Sequence, residues 1–446
     1  MAVLDLQPSR QSRRHAAISD AVRFLTYSLG GCSIMRMQLS GAALLAGVAF
    51  LLPAAAQAEP IKLVIGKLLE VTGPLSETGP SQEKAIKLAI DYANKAAKDA
   101  GLDITASDVG ADTQGDPQAA LSAARTLADQ GAACMIGPST TPESIAIANG
   151  LTIQSKTTIW PTGTSMRMRS IDSQGTIFRT VPPDSLQAHA LVAAVADKLG
   201  GTKDRLVSIA YRNEPYGDLL SKGFAQAWTA KGGKTQGPVV FDPNQPTFDS
   251  EAAQTVANNP DAYVVIDYPD TYAKFGAALV RTGHFDASKL VVADAMAFTT
   301  VPSDIPAQSI EGARATRGGT PTGTNAAKLF DELWQKAGGV EHYSLDANSF
   351  DSTTICFLAA AAAKSSEPGA IRDHVRGIAT AGAKQYSLDN LSEALKAVSG
   401  GEKIDYVGVA GAFEFNDVGD PSVSLFDVIE YHNGKSTLVK QVDARE

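Results

Sequence analysis

The sequence ADTQGDPQAALSAARTLADQGAACMIGPSTTPESIAIANGLTIQSKTTIWPTGTS, residues 111–165, decides the fold of this chain. Apolar residues at helical spacing predict a helix over 117–130, and short apolar runs predict strands over 104–109, 132–136 and 157–160. Strands that alternate with helices in this way are typical of a parallel sheet with helices on both faces. We therefore expect a doubly wound α/β fold.

The loop after the strand 132–136 is rich in hydroxyl groups. It contains Ser139 and Thr140, while Thr141 is suited to cap the next helix and Pro142 suits a first helical position. The free N–H groups at the start of a helix favour a carboxylate or phosphate nearby. This loop is therefore a candidate anion-binding element.

A second loop of the same kind follows the next strand and contains Thr162, Gly163 and Thr164. Adjacent parallel strands bring the loops at their carboxyl ends side by side, where ligands bind in open α/β sheets. The competing interpretation is that these residues are ordinary helix caps, because Ser and Thr are common there. Two such loops at consecutive strand ends favour a ligand site.

The beginning of the chain differs from the rest. Residues 35–58 combine a short basic start, an uncharged apolar run over 39–52 and small residues before Ala58, which is typical of a cleaved secretory signal peptide. Residues 1–34 have no comparable run, and we expect a non-translated or disordered upstream extension. A lipoprotein box ending at Cys32 and a twin-arginine pattern are weaker alternatives. The expected location is the periplasm.

Composition and charge exclude several classes of function. The 446 residues are 44% hydrophobic and 20% charged, which is typical of a globular protein long enough for two cores. Cleavage after residue 58 removes five arginines and two aspartates, so the net charge changes from −9 to −12. An acidic surface argues against nucleic acid or an anionic membrane as a partner.

Cysteine usage and motif searches argue against redox, metal and catalytic sites. Cys134 and Cys356 each lie in an apolar segment, so the sequence predicts two buried thiols rather than a disulfide. No Cys or His pair stands at ligand spacing, so we expect no metal and no cofactor. GxSxG, HExxH and GxGxxG do not occur in the sequence, so we expect no catalytic residues and no enzyme.

The rest of the chain predicts two lobes of the same type. A strand over 61–66 and a helix over 81–100 precede the opening stretch and complete the first lobe. Segment 178–183 contains two prolines and is a candidate crossing between lobes. A second alternating series follows, with strands predicted over 206–211, 238–241, 262–267 and 290–293 and helices over 186–199, 216–230, 249–257 and 271–282.

The last third of the sequence changes character. A return strand is predicted over 310–315, and Asn433-Gly434 is a strong signal for a two-residue hairpin near the end of the chain. Helices are predicted over 326–337, 347–364 and 391–398, and the hairpin strands over 426–432 and 435–439.

Five short motifs give a resemblance to a known family. They are Val71-Thr72-Gly73-Pro74-Leu75, Ala111-Asp112-Thr113-Gln114-Gly115-Asp116-Pro117, Ile136-Gly137-Pro138-Ser139, Phe178-Arg179-Thr180 and Tyr216-Gly217, in this order. Together they resemble the branched-chain amino acid-binding (leucine-type) family of periplasmic binding proteins, which serve ABC importers. The resemblance covers essentially the whole chain after residue 58. It implies a type I periplasmic binding protein fold, with two doubly wound parallel-sheet lobes joined by three crossovers near 178–184, 309–316 and 404–412.

The resemblance also implies a ligand site. Ser139 and Thr140 match the family's first carboxylate-binding loop, and Asp294 matches the acidic residue that receives the ligand ammonium. The other matching positions are Thr162, Gly163 and Thr164 in the second loop and the aromatic residues Tyr216 and Tyr268. Two alternatives stay open, with Tyr216 as a packing residue and Asp294 as a strand-end cap. The family's paired alanines are absent from the second loop, and the ligand side chain stays undetermined.

The implied lobes are 59–181 with 316–405 and 182–315 with 406–446. The implied function is a receptor that delivers an amino acid-like ligand to the permease and ATPase subunits of an ABC importer. Two other functions stay open. One is a ligand sensor of the same fold for an amide, a urea-like molecule or an aromatic acid, and the other is a two-lobed α/β enzyme.

Overall fold

The computed structural model describes residues 59–339, 341–343 and 345–445. The predicted signal peptide and the upstream extension lie outside these residues. Within them, no helix is both long and apolar enough to cross a membrane.

Strands and helices alternate through most of the chain, as the sequence predicts. The strands are β1 (Ile61–Leu69), β2 (Ile104–Asp112), β3 (Cys134–Ile136), β4 (Thr158–Trp160), β5 (Leu206–Arg212), β6 (Lys234–Phe241), β7 (Ala262–Ile266), β8 (Leu290–Val292), β9 (Arg314–Gly318), β10 (Lys384–Ser387), β11 (Ile404–Val407), β12 (Val423–His432) and β13 (Lys435–Arg445). The helices are α1 (Gly79–Ala100), α2 (Pro117–Asp129), α3 (Thr141–Ile147), α4 (Ile153–Ser155), α5 (Asp184–Leu199), α6 (Pro215–Ala230), α7 (Asp249–Val256), α8 (Pro269–Arg281), α9 (Asn325–Ala337), α10 (Asp346–Ala363), α11 (Pro368–Ile378) and α12 (Leu391–Ser399).

Two separate sheets define two lobes. The first sheet has the order β2-β1-β3-β4, and all its strand pairs are parallel. The second has the order β13-β12-β9-β8-β7-β5-β6 and is parallel from β9 to β6, with β12 and β13 added antiparallel at one edge. Apolar strands buried on both faces need helices on both sides, which the alternating order supplies. The predicted doubly wound α/β fold in two lobes is confirmed.

A buried ion pair joins the segment of the first predicted crossing to the loop that precedes β12. The Arg179 guanidinium donates to both carboxylate oxygens of Asp420, at 2.6 and 2.7 Å. Although burial raises the pKa of Asp420, Arg179 and Arg169 bring it below its usual value. Arg179 also donates to the carbonyl oxygens of Gly163 and Ser165, both at 3.1 Å, so the ion pair is joined to the second hydroxyl-rich loop.

The predicted lobe ranges stay a prediction, and core packing favours a later third boundary. Tyr406 and Phe413 are buried in the same cluster as Trp160 and Phe178, which belong to the first lobe. We therefore infer that the chain enters the second lobe between Phe413 and β12.

The prediction of two free buried thiols is wrong. Cys134 in β3 and Cys356 in α10 form a disulfide, with their Cα atoms 6.5 Å apart. The two positions are 222 residues apart in sequence, and the intervening chain builds the second lobe before α10 returns to pack against the first sheet. Sequence spacing does not reveal this contact, because it depends on the return of the chain.

Some other elements differ from the prediction. The return strand predicted over 310–315 is β9, which begins later, because Gly312 turns the chain with φ of +74°. Helix α11 and the parallel pair β10-β11 were not predicted. The predicted hairpin at Asn433-Gly434 is confirmed, since it joins β12 and β13.

Candidate functional site

A cavity of about 50 Å³ lies between the two lobes, at the carboxyl ends of their parallel strands. Its walls come from segments that follow β1, β3 and β4 in the first lobe and β5, β7 and β8 in the second, and from Tyr343 and Leu345 before α10. Seven of the eight residues predicted from sequence line it, namely Ser139, Thr162, Gly163, Thr164, Tyr216, Tyr268 and Asp294.

One wall of the cavity carries hydroxyl groups without partners. Ser139, Thr141 and Thr162 are buried, and their side-chain oxygens form no hydrogen bond within the described chain. A buried polar group without a partner is costly, roughly 1–3 kcal/mol each. This wall is therefore suited to receive a polar group of a ligand, and three hydroxyl donors fit a carboxylate.

Close contact between the two loops places these hydroxyl groups together. The Thr162 N–H donates to the Pro138 carbonyl at 3.0 Å, and an added Cβ at Gly163 would lie 3.1 Å from the backbone nitrogen of Thr141. A side chain at Gly163 would therefore require the first loop to shift by a few tenths of an ångström. This explains why glycine stands between the two threonines of the second loop.

Thr140 does not line the cavity, contrary to the prediction. Its hydroxyl donates to Glu143 Oε2 at 2.7 Å and its N–H donates to the same oxygen at 2.9 Å. Thr140 is the residue preceding α3, and its extended backbone is typical of a helix cap. Thr141, which the sequence suggested as the cap, presents its hydroxyl group to the cavity.

The opposite wall carries a carboxylate and two tyrosines. The Tyr216 hydroxyl donates to Asp294 Oδ1 at 2.7 Å, and the Tyr216 and Tyr268 rings stack with centroids 5.5 Å apart. Burial raises the pKa of Asp294, while the Tyr216 hydroxyl favours the charged carboxylate. Asp294 keeps some exposure because it faces the cavity. The arrangement is suited to a cationic group of a ligand.

The Tyr268 ring packs against a cluster of charged residues outside the cavity. The Arg212 guanidinium lies 4.6 Å from the Tyr268 ring centroid and forms ion pairs with Glu214 and Asp270, at 2.7 and 3.0 Å. Its positive charge is therefore neutralised outside the cavity. Arg212 does not line the cavity, so it supplies no direct counter-charge to a ligand carboxylate.

A second buried carboxyl group near the site was missed by sequence analysis. Neither side-chain oxygen of Asp184 has a well-formed hydrogen bond within the described chain, and the Asp184 N–H donates to the Thr164 carbonyl at 3.0 Å. Burial and the nearby charge of Asp294 raise the pKa of Asp184 to about 8. Acidic residues are common at the start of a helix, where they interact favourably with the helix dipole. The sequence therefore gives no sign that Asp184 is unusual.

The sequence also did not predict the apolar residues that line the cavity. Leu75, Phe298, Tyr343 and Leu345 contribute side chains to the cavity. These residues come from three segments far apart in sequence, without a shared motif. Their apolar character indicates that the ligand carries an apolar part in addition to its charged groups.

The described residues contain no group of three or more His, Cys, Asp or Glu side chains that could hold a metal ion. The expectation of no metal and no cofactor stays a prediction.

Two α/β lobes with a cavity between them, lined by hydroxyl groups, a carboxylate and apolar side chains, are the arrangement found in solute-binding proteins. The chain belongs to the periplasmic binding protein family, since the model of that family matches residues 62–390. This confirms the resemblance found in the sequence. The family and its fold are those of solute-binding proteins rather than enzymes.

Relatives and solved structures agree with this assignment. The Leu/Ile/Val-binding protein homolog 3 of Brucella melitensis is 26% identical over 84% of this chain and 92% of its own length. The leucine-binding protein LivK of Thermotoga maritima superposes with a TM-score of 0.67 at 19% identity, over 85% of this chain and 98% of LivK. A solute-binding protein of R. palustris in complex with benzoate superposes with a TM-score of 0.63 at 15% identity, over 86% and 97%. At these identities the structures show the fold.

Proposed function

We propose that this protein is the solute-binding receptor of an ABC importer and that it binds an amino acid or an amino acid-like molecule. The observation that carries the proposal is that the two walls of one cavity carry different chemical groups. Unpartnered hydroxyls of Ser139, Thr141 and Thr162 stand on one lobe, and the Asp294 carboxylate stands on the other. An α-amino acid presents a carboxylate and an ammonium that match these two walls.

The apolar residues between the walls favour an apolar side chain on the ligand. Leu75, Phe298 and Leu345 supply this surface, and the stacked tyrosines add aromatic surface beside Asp294. The relative named as a Leu/Ile/Val-binding protein homolog supports the same choice. The proposed ligand is therefore an amino acid with an apolar side chain.

Export to the periplasm is part of the proposal. The signal peptide predicted at 35–58 supports it, and so does the Cys134–Cys356 disulfide, because disulfides persist in oxidising compartments. The membrane subunits of the importer are the proposed partners. They would receive the ligand when the lobes separate.

An aromatic acid is the second candidate ligand. The aromatic residues Tyr216, Tyr268, Phe298 and Tyr343 in the cavity favour it, as does the fold shared with a protein in complex with benzoate. Such a ligand would use the hydroxyl-rich wall and would leave Asp294 without a cationic partner.

A comparison of matched ligands tests the function. We expect L-leucine or another apolar L-amino acid to bind at least about tenfold more tightly than its deaminated acid, because that acid lacks the cation for Asp294. Titration calorimetry on protein that was unfolded, dialysed and refolded measures both affinities, and mass spectrometry identifies what was released. Equal affinity for the deaminated acid or for benzoate would contradict the amino acid assignment and favour an acid-binding receptor.

Two threonine variants separate the cavity wall from the helix cap. Thr162→Val removes an unpartnered cavity hydroxyl, so we expect binding to weaken by roughly 1.5–3 kcal/mol. Thr140→Val removes one of the two Thr140 contacts to Glu143 outside the cavity and keeps the N–H contact, so we expect stability to fall by about 1 kcal/mol and affinity to fall clearly less than in Thr162→Val. Calorimetry and urea unfolding on both variants give the comparison. A Thr140→Val protein that loses as much affinity as Thr162→Val would contradict this separation.

A further inference from the structure

Two fully buried glutamates lie behind two of the first-lobe loops that line the cavity. Glu70 directly follows β1 and Glu143 lies in α3, and both are 0% exposed. Neither lines the cavity, so neither has a place in the ligand site described above.

Each glutamate holds one loop of the cavity wall. Glu70 Oε2 accepts the N–H of Leu75 at 2.8 Å, and Leu75 is part of the apolar lining. Glu143 Oε2 accepts both the N–H and the hydroxyl of Thr140, which stands between the cavity residues Ser139 and Thr141. The positions of two separate loops therefore depend on these two carboxyl groups.

The remaining oxygens of the two glutamates require a proton between them. The two carboxyl groups interact with each other, and the Thr113 hydroxyl also interacts with Glu143, yet Oε1 of each glutamate has no well-formed hydrogen bond in the described part of the chain. Neither group forms an ion pair with a described Lys, Arg or His. Two carboxylates without a cation repel each other, whereas a carboxylic acid donates a hydrogen bond to its neighbour.

Asp270 of the second lobe acts on Glu70 as a negative charge, although it is itself paired with Arg212 at 3.0 Å. The Tyr268 hydroxyl also interacts with Glu70, and it is neutral because burial raises the pKa of Tyr268 well above its usual value. Burial and the neighbouring Glu143 raise the pKa of Glu70 to about 9, and burial also raises the pKa of Glu143. The environment therefore retains a proton at neutral pH.

We propose that Glu70 and Glu143 share one proton and act as positioning residues, which hold the loop of Leu75 and the loop of Ser139 to Thr141 in place. The positioning role rests on the proposed function, while the shared proton does not depend on the identity of the ligand.

The proposal makes opposite predictions for two replacements of Glu70. The amide of Glu70→Gln accepts the Leu75 N–H and donates to Glu143, so it reproduces the protonated acid without a titratable proton. Glu70→Ala removes both contacts and releases the loop. Glu332→Gln, which changes an exposed glutamate on α9, is the matched control for the loss of one acidic group.

Unfolding of the ligand-free protein tests the shared proton. A buried acid whose pKa is raised from 4.5 to about 9 keeps its proton in the folded state, while the unfolded chain loses it above pH 4.5. The folding equilibrium constant of the wild type, divided by that of Glu70→Gln, should therefore fall by up to about tenfold per pH unit between about pH 5 and 9. Above pH 9 this ratio should level off. Urea titrations at several pH values measure this ratio. Parallel profiles for the wild type and Glu70→Gln, as expected for Glu332→Gln, would overturn the shared proton.

Binding of L-leucine as the probe tests positioning. At pH 7 we expect Glu70→Gln to bind within about twofold of the wild type and Glu70→Ala to bind roughly tenfold or more weakly. Above pH 9 the wild type should lose affinity relative to Glu70→Gln. The ratio of the two affinities does not depend on the titration of the ligand, because both proteins bind the same ligand. Equal losses in Glu70→Gln and Glu70→Ala at pH 7 would overturn the proposal. If L-leucine and the other amino acids do not bind the wild type, the proposed function fails, while the unfolding comparison still decides the shared proton.

Discussion

Replacement of Asp294 by alanine is expected to weaken the binding of an apolar L-amino acid by about 30-fold or more. Loss of one partner from a desolvated, hydrogen-bonded charge pair costs on the order of 2–5 kcal/mol, and every 1.4 kcal/mol is tenfold in affinity. The ligand ammonium would lose the carboxylate that Tyr216 orients at 2.7 Å. Within the described cavity lining, Glu77 is the other acidic residue, and it belongs to the first lobe.

Matched variants separate the charge of Asp294 from its packing. Asp294→Asn keeps an acceptor for the Tyr216 hydroxyl but removes the negative charge, so we expect a loss close to that of alanine. Asp304→Asn removes an exposed carboxylate from the same lobe and serves as the control. Calorimetry with the amino acid and its deaminated acid gives the readout, because the deaminated acid should bind Asp294→Asn no more weakly than the wild type. An Asp294→Asn protein with unchanged affinity for the amino acid would contradict the ammonium assignment.

The sequence predicts the fold well because its periodic patterns are strong. Apolar strands and amphipathic helices alternate over most of the chain, and each pattern reports local structure. The elements that were missed are short or mixed in composition. The four-residue strands β10 and β11 pair with each other although α12 separates them in sequence. No local pattern indicates this pairing.

The difference between Thr140 and Thr141 shows where site prediction from sequence ends. Both residues are threonines at the start of one helix, and either hydroxyl could cap it or face a ligand. In the structure α3 begins at Thr141, and the Glu143 carboxylate engages Thr140. A shift of one residue in the helix start therefore exchanges the two roles. Sequence alone gives helix boundaries less accurately than this.

Asp184 illustrates a second limit of site prediction from sequence. Its residue type and position are those of an ordinary acidic residue at a helix start, and its distinctive feature is the surrounding structure. Burial in that helix start, together with the charge of Asp294, raises its pKa to about 8. Properties that depend on charges from distant segments are absent from any local pattern.

Removal of the Cys134–Cys356 disulfide is expected to lower the free energy of unfolding by roughly 2–5 kcal/mol, toward the upper end because the cysteines are 222 residues apart in sequence. A cross-link of this length restricts the unfolded chain strongly, and it joins β3 to α10 within the core of the first lobe. The double variant Cys134→Ala with Cys356→Ala tests this by urea unfolding at pH 7. Ligand affinity should change little, because neither cysteine lines the cavity.

Reduction of the wild-type protein is the matched control for the cysteine variants. With a reductant, the wild-type urea midpoint should move toward that of the double variant, whose own midpoint should stay unchanged. Alkylation of unreduced, denatured protein should label neither cysteine. Two labelled thiols in protein purified from an oxidising compartment would contradict the disulfide and restore the prediction of free thiols. Equal midpoints for oxidised and reduced wild type would show that the core of the first lobe is stable without the cross-link, as α10 packing on β3 would then suffice to hold the two segments together.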